Sequence, residues 1–247
     1  MLETTEDLYN GLIIKRESIS LFISEFSNDL KRLIESSKRE KISLLWLDLT
    51  SEQHQHISLA LSLGFAFHNC ESKRVTLTFQ VKEHAYIPVP PSHTIGVGAI
   101  VINSKNELLM VRDRIHTSNS LYKFPGGMLE LEDSLEEGVI REVREETGIE
   151  AELLKLVSVL NSHPFQFNKS NMYIVFQLKP LTETINIVDV HEIELALWLP
   201  LDDFFTHSEI SVFQKNLVKR ALSRDGLEAT EFNEKFKNHK KFVEIYS

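Results

Sequence analysis

The 247-residue chain holds a single cysteine, Cys70, so no disulfide can form within it. A reducing compartment such as the cytoplasm is the expected setting. No apolar run approaches the ~20 residues that a bilayer-spanning helix needs, so no helical membrane span is expected. Met1 to Asn10 are acidic and carry no apolar stretch, which argues against a secretory or transit segment. Positive charge is in deficit: 27 Lys and Arg face 36 Asp and Glu, a net charge of −9. That balance disfavours a general affinity for nucleic acid or anionic membrane. Proline is scarce, seven in all, yet Pro88, Pro90 and Pro91 fall together. They stiffen Tyr86 to Pro91 against helix and central strand alike, and mark a domain boundary there. Internal repeats and low-complexity tracts are lacking too.

What remains is an ordinary globular composition, 42% hydrophobic and 26% charged, long enough for two modest domains. Residues 1–88 read as a small α/β domain in the order β-α-β-α-β-β. Gly11 to Lys15 is a short strand. Ile19, Phe22, Ile23, Phe26, Leu30, Leu33 and Ile34 then recur at helical spacing. Ser43 to Leu49 is a strand, Ser51 caps a helix that stops at Gly64, and FAFHNC and VTLTFQV are two further strands. Cys70 is expected to be buried. Residues 92–225 form the second domain. HTIGVGAIVIN and LLMVRD read as a hairpin-like pair around the turn SKNE. Strands follow near Ala151 to Leu160, Met172 to Leu178 and Glu194 to Leu199, then a helix over Ser211 to Leu222. In the tail, 226–247, Phe232 and Phe236 stand four apart, as in a short packed helix.

The chemistry concentrates at Gly127 to Ile149, GMLELEDSLEEGVIREVREETGI. Ser134 and Glu137 have the spacing of a capping box that opens a helix. Leu135, Val139 and Val143 form its buried ridge, and Gly148 ends it as a left-handed cap. Glu142, Glu145 and Glu146 lie three and four residues apart, so they share one helical face. Like charges so close destabilise an isolated helix. A set of hard oxygen donors offsets this when it holds Mg²⁺ or Mn²⁺.

The spacing Gly127, Asp133, Arg141, Glu142, Val143, Glu145, Glu146, Gly148, Ile149 resembles the Nudix box, G-x5-E-x7-R-E-U-x-E-E-x-G-U with U apolar. One fixed position differs, Asp133 standing where the family has Glu. The resemblance implies a Nudix α/β/α sandwich with a mixed sheet. It implies metal ligands at Glu142, Glu145, Glu146 and the Gly126 carbonyl, and catalytic candidates at Glu145, Glu192 and Arg141. Arg141 would orient the acids by charge-assisted hydrogen bonds, with Asp133 as its partner. The first domain, through SLLWLDLTSEQHQHISLALSLGFAFHNC, resembles the acetyltransferase-like domain of the Nudix type-6 group, which includes ADP-ribose and NADH hydrolases. No acetyl-CoA loop accompanies it.

SHPFQFNKS, from Ser162 to Ser170, loosely resembles the array of NADH-cleaving members, with Phe165 in place of Trp. Phe165 and Phe167 are thus candidates to stack on a base, and Arg112 is a further substrate-binding candidate. The implied function is Mg²⁺-dependent hydrolysis of the diphosphate in ADP-ribose or NADH, releasing AMP. Alternatives are a nucleoside triphosphate, coenzyme A or capped RNA as substrate, or a non-catalytic ligand sensor. The expected partner is a nucleotide small molecule, and by resemblance a second copy of the chain.

Overall fold

Strand signals and helix caps place the elements of the first unit, Met1–Pro91, in a computed structural model that describes residues 1–115, 122–223, 226–228 and 246. They are β1 (Thr4–Glu6), β2 (Gly11–Ile14), α1 (Ile23–Arg39), β3 (Leu44–Thr50), α2 (His54–Ser62), β4 (Ala66–Glu71) and β5 (Arg74–Gln80). The sheet order is β1-β2-β3-β5-β4. β2 and β3 run parallel, which requires a crossover, and α1 supplies it. Phe26, Leu30 and Ile34, each four residues apart, pack the inner stripe of α1 on Leu45, Leu47, Leu49 and Leu77.

Helical spacing from Ile19 overstates the start of α1. The Ser20 hydroxyl accepts the Phe22 N–H at 3.2 Å, holding a turn in place of the first helical bond. Phe22 is left 71% exposed. In the turn before α2, Thr50 rather than Ser51 is the capping residue, its N–H donating to Gln53 at 2.9 Å. Gly64, at φ 99°, ends α2. The expectation of a buried Cys70 fails. It lies at the end of β4, the outermost strand of the sheet, and is exposed.

The second unit, Ser92–Ser247, contains β6 (His93–Val101), β7 (Glu107–Asp113), β8 (Gly126–Met128), α3 (Leu135–Thr147), β9 (Ala151–Ser162), β10 (Ser170–Pro180), β11 (Ile193–Pro200), α4 (Leu201–Thr206) and α5 (Val212–Leu222). A mixed sheet runs β8-β6-β10-β9, with β6 and β10 parallel. Val139 and Val143 of α3 pack on Val97, Ala99, Ile174 and Phe176. Phe204 of α4 and Leu217 and Val218 of α5 pack with Ile100 and Val175. Adjacent residues of β6 and of β10 thus enter opposite cores, as strand alternation requires. This is an α/β/α sandwich.

β6 and β7 do not form the expected hairpin. They share one bridge, Ile102↔Leu108, after which β7 pairs with β11 in a separate two-stranded sheet. Leu108 to Val111 are fully buried on both faces, so β7 runs between cores rather than along an edge. The helical tail expected around Phe232 and Phe236 lies outside the described residues. Within the described part, Leu227 bridges Leu156 and the Tyr246 ring packs on Phe176. No helix among the described residues is long and apolar enough to cross a membrane.

Both ends of α3 are built as the sequence predicts. Ser134 accepts the Glu137 N–H at 3.0 Å while Glu137 accepts that of Ser134 at 3.1 Å. Gly148 sits at φ 73°, where a Cβ would collide with the Asn186 carbonyl. Ser134→Ala should therefore cost about 1 kcal/mol. Gly148→Ala should cost more, because backbone strain and collision add. Urea midpoints at unchanged slope would show both losses in that order.

Candidate active site

The site is assembled around Glu146, on the last turns of α3. This residue is only 3% exposed. Its Oε2 accepts the Gly126 N–H at 2.8 Å. Gly126 reaches it because β8 lies hard against β6, pairing with Gly98. At φ 151° and with a Cβ position inside the Val97 carbonyl, residue 126 has to be glycine. Gly127 serves a second acid, since a Cβ there would sit 2.7 Å from the Glu142 carboxylate.

Three carboxylates then converge from distant parts of the chain. Asp113, Glu146 and Glu192 each place an oxygen within 4.8 Å of the others. Asp113 ends β7. Glu192 precedes β11 on a loop tied to α3, where the Glu145 carbonyl accepts the Val188 and Asp189 N–H groups at 3.1 and 2.8 Å. Asp189 Oδ1 in turn accepts the N–H of Glu192 at 3.0 Å. Between these acids lies the ammonium of Lys123, 2.8 Å from Asp113, 3.0 Å from Glu146 and 3.5 Å from Glu192. Backbone bonds exchanged between Lys123 and Val111 fix its stem next to Asp113.

Burial dominates the protonation of Glu146 and pushes it up to about 7, although Lys123 and the Gly126 N–H pull the other way. Burial also raises Glu142, against Arg141. For Lys123 burial opposes the charge, but Glu146 and Asp113 outweigh it and raise its pKa. A single ammonium thus leaves the pocket short of positive charge. Tyr173 of β10 is missed by sequence reasoning. Its hydroxyl abuts Gly98, and burial, with Glu146 adding, pushes it up to about 12.

Arg141 organises the acids of α3 that lie beside Glu146. It donates to Asp133 at 2.9 Å, Glu142 at 3.0 Å and Glu145 at 3.1 Å. Aspartate at 133 is long enough for this, and also accepts the Glu130 N–H at 3.2 Å. The guanidinium holds the Asp133 carboxyl below its ordinary value.

The remaining sequence candidates lie apart from the acids. Arg112 is paired with Glu194 at 3.0 Å across the β7–β11 ladder. As the neighbour of Asp113 on a strand, it faces the opposite side. Phe165 and Phe167 occupy the turn between β9 and β10, with Phe167 92% exposed. That turn sits at the His93 end of β6, whereas Gly126 pairs with Gly98. Five residues at strand rise separate them by roughly 17 Å. Asp113 and Lys123 carry no sequence signal beyond lying at a strand end and in YKFP before Gly126.

A model of the NUDIX domain matches residues 92–221, more than half of the chain. A second, described as the Nudix hydrolase domain, matches residues 2–81. The chain belongs to the Nudix hydrolase family. It is 35% identical to human Nucleoside diphosphate-linked moiety X motif 6, over 80% of this chain and 64% of that one. It is 30% identical to Nudix hydrolase 8 of Arabidopsis thaliana, over 83% of this chain and 56% of that one. The chain therefore spans rather under two thirds of these two relatives. These matches put it in the type-6 group of Nudix hydrolases. Among solved structures, the MutT protein of Methanosarcina mazei is 25% identical over 54% of this chain and 95% of its own, with a TM-score of 0.44.

The Nudix-box pair Asp133–Arg141 yields a pH signature. Asp133 is depressed in the folded state, so its stabilisation is present above the ordinary value of 3.8 and is lost as pH falls through the folded value. Asp133→Asn should lower the urea midpoint by a constant amount above pH ~5. The gap to wild type should close in more acid solution, while Asp133→Glu should keep the wild-type profile.

Proposed function

We propose that the chain hydrolyses the diphosphate linkage of a nucleoside diphosphate derivative, of the ADP-ribose or NADH type, and releases AMP. The observation that carries the reading is the buried acid set at Glu146. Glu146 Oε1 and Asp113 Oδ1 are both buried, with no partner besides Lys123 among the described residues. They face a third carboxylate, Glu192, within 4.8 Å. Buried carboxylate oxygens that share a single ammonium, that of Lys123, suit a hard dication such as Mg²⁺ or Mn²⁺, so the residues fit the metal on which the family relies.

Asp113, Glu146 and Glu192 would hold that ion, with Glu142, Glu145 and the Gly126 carbonyl as the further donors implied by the box. When bound, it supplies charge to stabilise the diphosphate oxygens and to acidify a water. The chain's own residues do the rest. Arg141 fixes the rotamers of Glu142 and Glu145, so the acids meet the substrate already oriented. Water forms the new P–O bond, the bridging P–O bond breaks, and the water's proton passes to a carboxylate. Glu145 and Glu192, with side chains 42% and 59% exposed, are the acids open to such a water.

The substrate class rests on the human relative's name, which specifies a nucleoside diphosphate-linked moiety. The ADP-ribose or NADH choice rests on the SHPFQFNKS resemblance. We further place the protein in the cytoplasm, in keeping with its single cysteine, and expect a homodimer.

With Mg²⁺, ADP-ribose or NADH should yield AMP by product chromatography. Glu146→Gln should cut kcat by about 10²-fold or more, with KM changing far less. Turnover confined to nucleoside triphosphates or coenzyme A would reassign the substrate. Tight binding of ADP-ribose without AMP would make the chain a sensor, and unchanged turnover in Glu146→Gln would remove Glu146 from the mechanism.

A further inference from the structure

The ammonium of Lys123 occupies the point on which the three acids converge. It lies 2.8 Å from Asp113 Oδ1, 3.0 Å from Glu146 Oε1 and 3.5 Å from Glu192 Oε1. These are ion-pair distances, and Asp113 Oδ1 and Glu146 Oε1 are buried with no other partner among the described residues. A single positive charge thus faces three carboxylates.

We propose that Lys123 is a tethered cation which holds Asp113, Glu146 and Glu192 together when no dication is present, and which the dication displaces. This rests on the reading of those acids as a dication site. The two cations exclude each other by geometry. Oxygen ligands lie about 2.0–2.6 Å from Mg²⁺ or a similar ion, so an ion among these carboxylates takes the space that the ammonium fills, and repels it.

The chain is built to survive the exchange. The backbone of Lys123 is locked to Val111 by bonds of 2.9 and 3.0 Å, so only its flexible four-carbon stem has to move. Glu146 keeps its Oε2 on the Gly126 N–H at 2.8 Å throughout, which leaves Oε1 aimed into the pocket. Lys123 is thereby a positioning residue. It preserves the acid geometry in the metal-free protein, and it weakens metal binding because the ion has to compete with it.

Mn²⁺ binding to the full chain, read by the electron paramagnetic resonance of the free ion, tests this. Lys123→Met should bind Mn²⁺ at least about tenfold more tightly than wild type, as expected when an opposing charge is removed from the site. In EDTA the variant should melt below wild type, and saturating Mg²⁺ should close that gap. Equal or weaker Mn²⁺ binding by Lys123→Met would overturn the proposal.

A measurement on wild type guards against a variant that fails to fold. Labelling of Lys123 by an amine-reactive acetylating reagent, followed by mass spectrometry, should rise several-fold when Mg²⁺ is added. Unchanged or reduced labelling would overturn displacement. Glu146→Gln separates the two readings: if it binds Mn²⁺ as well as wild type, the dication site itself is elsewhere and the proposal falls with it.

Discussion

A carboxylate sealed from water needs compensation from its surroundings, and the second unit is arranged to supply it to Glu146. One oxygen is met by a peptide N–H, that of Gly126, which only a side-chain-free residue can bring so close to β6. The other oxygen is met by charge alone, from Lys123. Remove either contact and a buried anion is left exposed to the full penalty of its desolvation. The tight pairing of β8 with β6 and the packing of α3 on the same sheet are what keep both contacts in register.

Around this centre, charge is divided between two roles. Arg141, with Asp133 behind it, immobilises Glu142 and Glu145 on the flank of α3. Lys123 gathers Asp113, Glu146 and Glu192 in the pocket. The first arrangement is local, made within one helix and its leading loop. The second draws on a strand end, a segment before a glycine pair, and the far-off loop that carries Glu192. Such a constellation holds negative charge preformed in one pocket, with the carboxylates fixed by backbone contacts and only the Lys123 stem free to move.

The box helix was legible because its signals are local. The capping box at Ser134, the left-handed Gly148 and the apolar ridge of Val139 and Val143 all follow from neighbours within a few residues. The pairing of Asp133 with Arg141 was implied by the Nudix-box resemblance rather than by spacing, and the two side chains meet at 2.9 Å. Where local signals competed, the reading slipped. Helical periodicity from Ile19 lost to the Ser20 side chain. A turn between two apolar runs suggested a hairpin, but burial of β7 on both faces drew it to β11 instead.

By itself, then, the sequence determined the elements, the helix ends and the row of acids on one face of α3, because hydrogen bonding and periodicity within a segment suffice for these. Tertiary structure alone decided that Asp113 and Lys123 join Glu146 and Glu192, and that Arg112 is turned away from them. It also set Phe165 and Phe167 at the far end of β6. These outcomes depend on which strands pair and in what register, such as Lys123 with Val111 and Gly126 with Gly98. Side chains separated by dozens of residues meet only when backbone pairing and core packing bring their strands side by side, and no short-range pattern encodes that.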